Sequence, residues 1–255
     1  MRLLRLPVLL VALAVAAAAP AAAQTPVQTP APALTPAQEE AVRALVRDTL
    51  LRNPELLLEV LDALEEKKRA GPDGERARVL AERRAELERD HADPVHGAAD
   101  ADVAIVEFSD YRCPYCKRMA EPLAALLAAD RRVRLVIKEI PILGPDSVVA
   151  AKAALAAQRQ GKHAAMHAAL MARRGELDEA AVLGLAREIK LDVARLRRDM
   201  EDPAIAARIE RNLALARALG VAGTPAFVIG DRFVPGAIDA ETLRKLVAEA
   251  RAAKR

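Results

Sequence analysis

The 255-residue chain carries 39 Lys and Arg against 36 Asp and Glu, a net charge of +3. So slight an excess argues against a polyanion-binding role, and no nucleic-acid partner is expected. Aromatics make up 2% of residues and tryptophan is absent, so a core must come from Leu, Val, Ile and abundant Ala. The length suffices for one good core and an appendage.

The first residues read as an export signal. Arg2 and Arg5 supply the positive start, 6–19 is an apolar run, and Ala21-Ala22-Ala23 fits the small-residue cleavage pattern. The expectation is a signal peptide over 1–23, cleaved near Ala23, and a mature chain in the periplasm, where disulfides persist. The alternative is an uncleaved anchor, for which the run is short. Residues 24–34, rich in Pro, Thr and Ala, read as a flexible leader.

Thr35-Pro36-Ala37-Gln38 has the form of a helix start, with Thr as N-cap, Pro at the first position and Gln three residues on. Val42, Leu45, Val46 and Thr49 follow at helical spacing. Asn53-Pro54 breaks that helix and caps a second, which carries Leu57, Leu58, Leu61 and Leu64. These leucine-rich faces need a partner, because so small an isolated pair is marginal. Self-association is favoured over docking on the rest of the chain. A third helical stretch, about 75–90, is mostly charged and reads as a solvated connecting rod or, equally, as a charged surface helix packed on its own domain. Residues 91–100 are a linker by composition. The region 35–94 is thus an all-α oligomerisation region with a charged linker helix, ahead of a domain over 95–255.

In that domain a strand-like run, Val103 to Phe108, precedes Cys113-Pro114-Tyr115-Cys116 and a helix to Ala129. A second strand is expected at 133–137. Several helices fill about 145–219, then a hairpin pairs 226–229 with 232–234 about Gly230-Asp231, and Asp239 caps a last helix. The order predicts an α/β fold, a mixed sheet with helices on both faces.

Cys113 and Cys116 are the chain's two cysteines. Between a strand and the first turn of a helix, a pair at this spacing can close a small disulfide ring. Unpaired N–H groups and the helix dipole there favour a thiolate, the form that attacks disulfides. A zinc site would need a second pair of ligands, and a structural staple closing so short a loop would remove little chain entropy. The redox reading is favoured, with no cofactor and no metal. His163 and His167 stand four residues apart, a spacing able to hold a metal, but no nearby Cys or convincing acid completes a site, so a solvated helix face is expected. His91 and His96 fall in the linker and signify little.

Residues 95–255 resemble the DsbA-like branch of the thioredoxin superfamily. The resemblance rests on the 108–116 segment, on the helical insertion, on Gly223-Thr224-Pro225-Ala226-Phe227-Val228-Ile229-Gly230, and on the closing hairpin and helix. It implies a thioredoxin fold with a helical insertion. Cys113 would be the exposed nucleophile and Cys116 the shielded cysteine that resolves the mixed disulfide. Pro114 and Tyr115 would tune the pair, and a cis Pro225 would face it while Thr224 offers backbone groups to a substrate strand. Glu107, the one acid within an apolar strand, would sit beneath the disulfide and move protons, with Lys138 as a candidate partner. Residues 36–69 resemble the N-terminal region of ScsC-type proteins, which implies a homo-oligomer, trimer or dimer, acting as a disulfide isomerase or reductase and linked to copper tolerance. The partners implied are cysteine-containing protein substrates and a membrane thiol reductase or oxidase. The alternatives are a monomeric dithiol oxidase and a Cu(I)-binding protein.

Overall fold

A computed structural model describes residues 35–98 and 100–254. The expected signal peptide and leader lie outside the described residues. By internal packing the chain divides into two units, residues 1–59 and 60–255.

The first unit is built on helix α1, Pro36–Arg52. Thr35 caps it with the expected reciprocal box: the Gln38 N–H donates to the Thr35 hydroxyl at 3.4 Å, and the Thr35 N–H donates to Gln38 Oε1 at 2.9 Å. None of its residues is buried. Helix α2, Glu55–Ala70, crosses the division between the units, and its Leu57, Leu58, Leu61 and Leu64 are exposed.

The second unit holds a five-stranded sheet: β1 Val95–Gly97, β2 Val103–Ser109, β3 Val133–Glu139, β4 Ala226–Ile229 and β5 Arg232–Pro235. The order is β1-β3-β2-β4-β5, with β2 and β3 parallel and the other pairs antiparallel. The thioredoxin fold with a helical insertion is therefore present. Every residue of β2 is buried, as a central strand covered on both faces requires.

One face of the sheet packs on α5, Pro114–Ala129, and α11, Ala240–Ala252, through Ile105, Ile137, Phe227, Leu123 and Leu243. The other face packs on α3, Pro72–Glu82, α4, Arg84–Glu88, and α10, Pro203–Ala218, through Val106, Phe108, Val228, Leu87 and Leu215. Burying each such side chain contributes roughly 1.5–3 kcal/mol. The insertion forms a third cluster from α6, Pro145–Gln158, α7, His163–Ala172, α8, Glu179–Glu188, and α9, Val193–Met200, joined by one end of α10. Alanine dominates the buried side of α6, which lets its neighbours approach closely.

Two readings of the sequence are corrected. The charged stretch is two short helices broken at Arg83, and of its two readings the solvated rod fails and the charged surface packed on its own domain holds: Val79, Leu80 and Leu87 are buried against the sheet. Three apolar residues among many charges are enough when the charges point outward, as in the Arg78 pairs with Glu75 and Glu82. The supposed linker contains β1, which pairs antiparallel with β3. Gly97 permits this, with φ at 103° and a position where a Cβ would stand 2.7 Å from the Val133 carbonyl oxygen.

Candidate active site

β2 delivers the chain to a tight turn that Asp110 holds. Its buried carboxylate accepts from the Arg112 N–H at 2.8 Å, the Ile142 N–H at 2.9 Å, the Leu143 N–H at 3.0 Å and the Ser147 hydroxyl at 2.8 Å. Its carbonyl accepts from the Cys113 N–H at 3.0 Å. Four bonds to one carboxylate meet the cost of burying it and fix where the next helix begins. Cys113 is the N-cap of α5, Pro114 occupies the first turn without a wasted N–H, and Cys116 follows within that turn.

The two cysteines lie close together at the start of α5. Cys113 is 4% exposed and Cys116 fully covered, so Cys113 is more enclosed than the expected exposed nucleophile, though it remains the accessible member. Its Sγ donates to the Thr224 carbonyl at 3.1 Å. The Thr224–Pro225 peptide is cis. Thr224 and Pro225 line a groove of about 350 Å³ with Tyr115, Arg118, Gly223 and Phe233. Tyr115 is half exposed, and the Arg118 guanidinium lies 4.4 Å from the centre of its ring. An extended chain laid in the groove would reach Cys113 and the backbone of Thr224 together.

Beneath the pair lies Glu107, 1% exposed. Burial pushes its carboxyl up to about 8, with the Ser109 hydroxyl, 3.2 Å away, pulling it down and Glu139 pushing it further up. Burial also drives the Cys116 thiol up, and Glu107 adds to the effect. An acid held near neutrality beside a thiol that resists ionisation is fitted to exchange a proton with it.

The expected Glu107–Lys138 pair does not form. The register sets Glu107 beside Ile137 and Phe108 beside Lys138, and neighbours in register share a face. Lys138 therefore follows Phe108 to the opposite face, where it ion-pairs with Asp93 and donates to the Glu86 carbonyl at 2.5 Å. The same alternation brings Ser109 and Glu139 to the Glu107 face.

The histidine reading is also overturned. His163 and His167 are 6% and 8% exposed, and with His96 of β1 they form a group of three rings whose centres are 5.1, 5.2 and 5.9 Å apart. The Tyr111 hydroxyl joins this group to Glu139, at 2.7 Å from Glu139 Oε1 and 3.1 Å from His167 Nδ1. Nothing in the sequence analysis singles out Tyr111 or Glu139. For Glu139 a signal is present: it ends a strand, two residues from Ile137 and in register with Ser109. Among the described residues no group of three or more His, Cys, Asp or Glu is arranged to hold a metal.

A CxxC pair at a helix N-terminus, a cis proline across from it and an acid below define a thioredoxin-fold disulfide-exchange protein. Residues 104–248 match the DSBA-like thioredoxin domain, and residues 38–70 match the copper resistance protein ScsC N-terminal domain. The chain belongs to the DsbA-like thioredoxin family, with an ScsC-type N-terminal domain; the family is one of thiol-disulfide oxidoreductases that act on cysteine-containing proteins. A thioredoxin-like oxidoreductase from Silicibacter pomeroyi is 48% identical, with 66% of this chain and 98% of that one covered and a TM-score of 0.65. Proteus mirabilis ScsC in a transitional conformation is 37% identical, with 86% of this chain and all of that one covered and a TM-score of 0.65. A curated relative, Na(+)/H(+) antiporter NhaA 1 of Salinispora arenicola, is 36% identical over 170 residues, 66% of this chain and 26% of its own length. The chain spans about a quarter of the length of the curated relatives it matches. No described helix is long and apolar enough to cross a membrane.

Proposed function

We propose that the chain is an exported, periplasmic thiol-disulfide oxidoreductase that works as a homo-oligomer and isomerises wrong disulfides in other proteins. The observation that carries the chemistry is the Cys113 sulfur on the Thr224 carbonyl at the cis peptide, above a covered Cys116 and the raised Glu107. The Cys113 thiolate attacks a substrate disulfide, forming a mixed disulfide and releasing one substrate thiolate. Another substrate thiolate then displaces Cys113, which completes an isomerisation. Alternatively Cys116 attacks the Cys113 sulfur and the substrate leaves reduced. Thr224 and Pro225 hold the substrate strand, Pro114 and Tyr115 tune the pair, and Glu107 takes the Cys116 proton. Repeated isomerisation needs Cys113 kept reduced, so a membrane thiol reductase is the partner.

Self-association rests on α1, which buries nothing, and on the exposed leucines of α2. Such faces are stable when copies of the chain cover them. Reactivation of scrambled ribonuclease by the reduced protein, abolished in Cys113→Ala, is the expected result. Light scattering should give a dimer or trimer, reduced to a monomer by Leu57→Glu with Leu61→Glu, and isomerase activity should fall with it. A monomer that only oxidises reduced substrates would instead establish the oxidase reading. The match of 38–70 to a domain described by copper resistance favours one further test, Cu(I) titration of the thiol pair.

A further inference from the structure

The groups beneath the cysteines do not end at Glu107. Ser109 is hydrogen-bonded to Glu107, and its own side chain also acts on Cys116. Ser109 stands in register with Glu139 on the adjacent strand, at the roughly 4.8 Å spacing of neighbouring strands. From Glu139 the Tyr111 hydroxyl bridges to His167 Nδ1. His163 lies with its Nε2 3.6 Å from Glu139 Oε1 and its Nδ1 2.9 Å from His96 Nε2. His96 and His167 both line a cleft of about 520 Å³ between α5 and α7, rimmed by Lys117 and Glu121. Glu139 Oε2 and His163 Nε2 have no hydrogen-bond partner among the described residues, although both side chains are buried.

We propose that Glu139, Tyr111 and the His96–His163–His167 group form a proton relay that connects the acid beneath Cys116 to a solvent cleft on the side of the molecule away from the substrate groove. This rests on Cys116 acting as the resolving cysteine. In resolution the Cys116 S–H bond breaks and its proton passes to the carboxylate form of the Glu107–Glu139 pair. The Cys116 thiolate attacks the Cys113 sulfur, the Cys113–Cys116 bond forms, and the electron pair of the broken mixed disulfide leaves on the substrate sulfur, which takes a proton from solvent in the groove. The carboxyl pair, already holding a proton near neutral pH, can accept this one only as it passes one on, and bound substrate covers the groove. The histidine side is the other way out.

The geometry allows it. With Glu139 ionised, the Tyr111 O–H donates to it and the phenol oxygen accepts from His167 Nδ1–H. With Glu139 protonated the two bonds reverse, Glu139 donating to Tyr111 and Tyr111 to His167. Passing from the second pattern to the first moves two protons by one hop each, Glu139 to Tyr111 and Tyr111 to His167 Nδ1, a net transfer of one proton to the imidazole, which releases its other N–H proton toward the cleft. Neutral imidazoles suit this, each having one N–H and one lone pair. Burial holds His96 down to about 4 and His163 to about 3, and lowers His167 as well. Burial also lifts Glu139 to about 8, with Asp110 and Asp93 adding to it and Tyr111 opposing. Glu107, Asp110, Asp93, Cys116, Lys117 and Glu121 are the other charged or titratable groups facing the relay from the packed elements. Two interacting carboxyls titrate as a pair, so one can be ionised while the other holds a proton.

The test is the rate of the resolving step. The reduced protein is mixed with glutathione disulfide, quenched in acid, and the mixed and internal disulfides are counted by mass spectrometry from pH 5 to 9. In Tyr111→Phe and His167→Ala the first attack should be unchanged and resolution slowed about tenfold near pH 7, with its pH profile shifted. Imidazole, admitted through the cleft, should restore most of the His167→Ala rate. Coincident rates and profiles for wild type and variants would overturn the relay. So would a loss equal at every pH and unmoved by imidazole. If Tyr111→Phe fails to fold by circular dichroism, His167→Ala with imidazole decides. Failure of the oxidoreductase reading looks different, because wild type would then form no internal disulfide.

Discussion

Glu107 and Lys138 stand on adjacent strands one residue out of phase, and the sheet sends them to opposite faces. On the α3–α4–α10 face, Lys138 is buried against Asp93, with Arg208 3.8 Å from the same carboxylate. On the active-site face, Glu107 and Glu139 are buried without a cation, among hydroxyls, a thiol and imidazoles. The first arrangement balances charge with charge and is structural. The second has no counter-charge, so the carboxyls respond by holding their protons, which makes them available for proton transfer near neutral pH. Burial raises the Asp93 carboxyl too, but Lys138 and Arg208 oppose that shift, whereas no cation opposes it at Glu107 and Glu139; the presence of a cation separates a strut from a reactive group.

The largest effect is expected on the paired face. Lys138→Met leaves Asp93 buried without its main partner and should destabilise the fold by about 3–5 kcal/mol. Lys138→Met combined with Asp93→Leu should recover most of that loss, because the uncompensated charge goes with the lysine's partner. Urea unfolding measures both. Exchange activity, assayed where the variants are folded, should stay within about twofold. A double variant no better than the single one would show that the pair does more than neutralise charge.

The unpaired face should give a pH signature. In the folded chain Glu107 and Glu139 hold protons up to about 8, against an ordinary value of 4.5. Between those values the folded state binds more protons than the unfolded, so stability falls as pH rises through that window. A carboxyl whose pKa differs by one between the folded and unfolded chain changes stability by about 1.4 kcal/mol across it. Glu107→Gln should flatten the slope and leave the reduced protein more stable than wild type at pH 8, while slowing resolution by Cys116 about 10- to 100-fold. An unchanged slope would mean that Glu107 is ionised at neutrality.

The sequence showed the paired and unpaired faces unequally. Cys113, Cys116, Thr224, Pro225 and Glu107 were legible because each is odd in its local setting: a lone CxxC, a Thr-Pro before a strand, one acid in an apolar run. The sheet and the insertion helices followed from periodicity. Lys138 falls on the other face because strand register, which decides the face, is not written in the sequence of either strand. The histidine group was hidden because His96, His163 and His167 are scattered over 72 positions, and β1, which brings His96 in, is three residues long within a segment of linker composition. The buried side of α3 was masked by its charges, since hydrophobic periodicity in a short helix rests on two or three residues.

The smallest effect sharpens the contrast by its sign. Asp102 lies before β2 and takes a two-pronged contact from Arg251 of α11, at 2.9 to 3.0 Å, and its side chain is 38% exposed. The guanidinium holds its carboxyl below the usual 3.8. A depressed value means stability that is present above the ordinary value and lost as pH falls through the lowered one, the reverse of Glu107. Solvent screening limits the pair, so Asp102→Asn should cost less than about 1 kcal/mol at pH 7, less again in high salt, and nothing near pH 2. Unfolding of Glu107→Gln and Asp102→Asn across the same pH range would then show two carboxyls displacing the stability curve in opposite directions. If both variants moved it the same way, the distinction between an acid with a cation and an acid without one would fail as the account of this sheet.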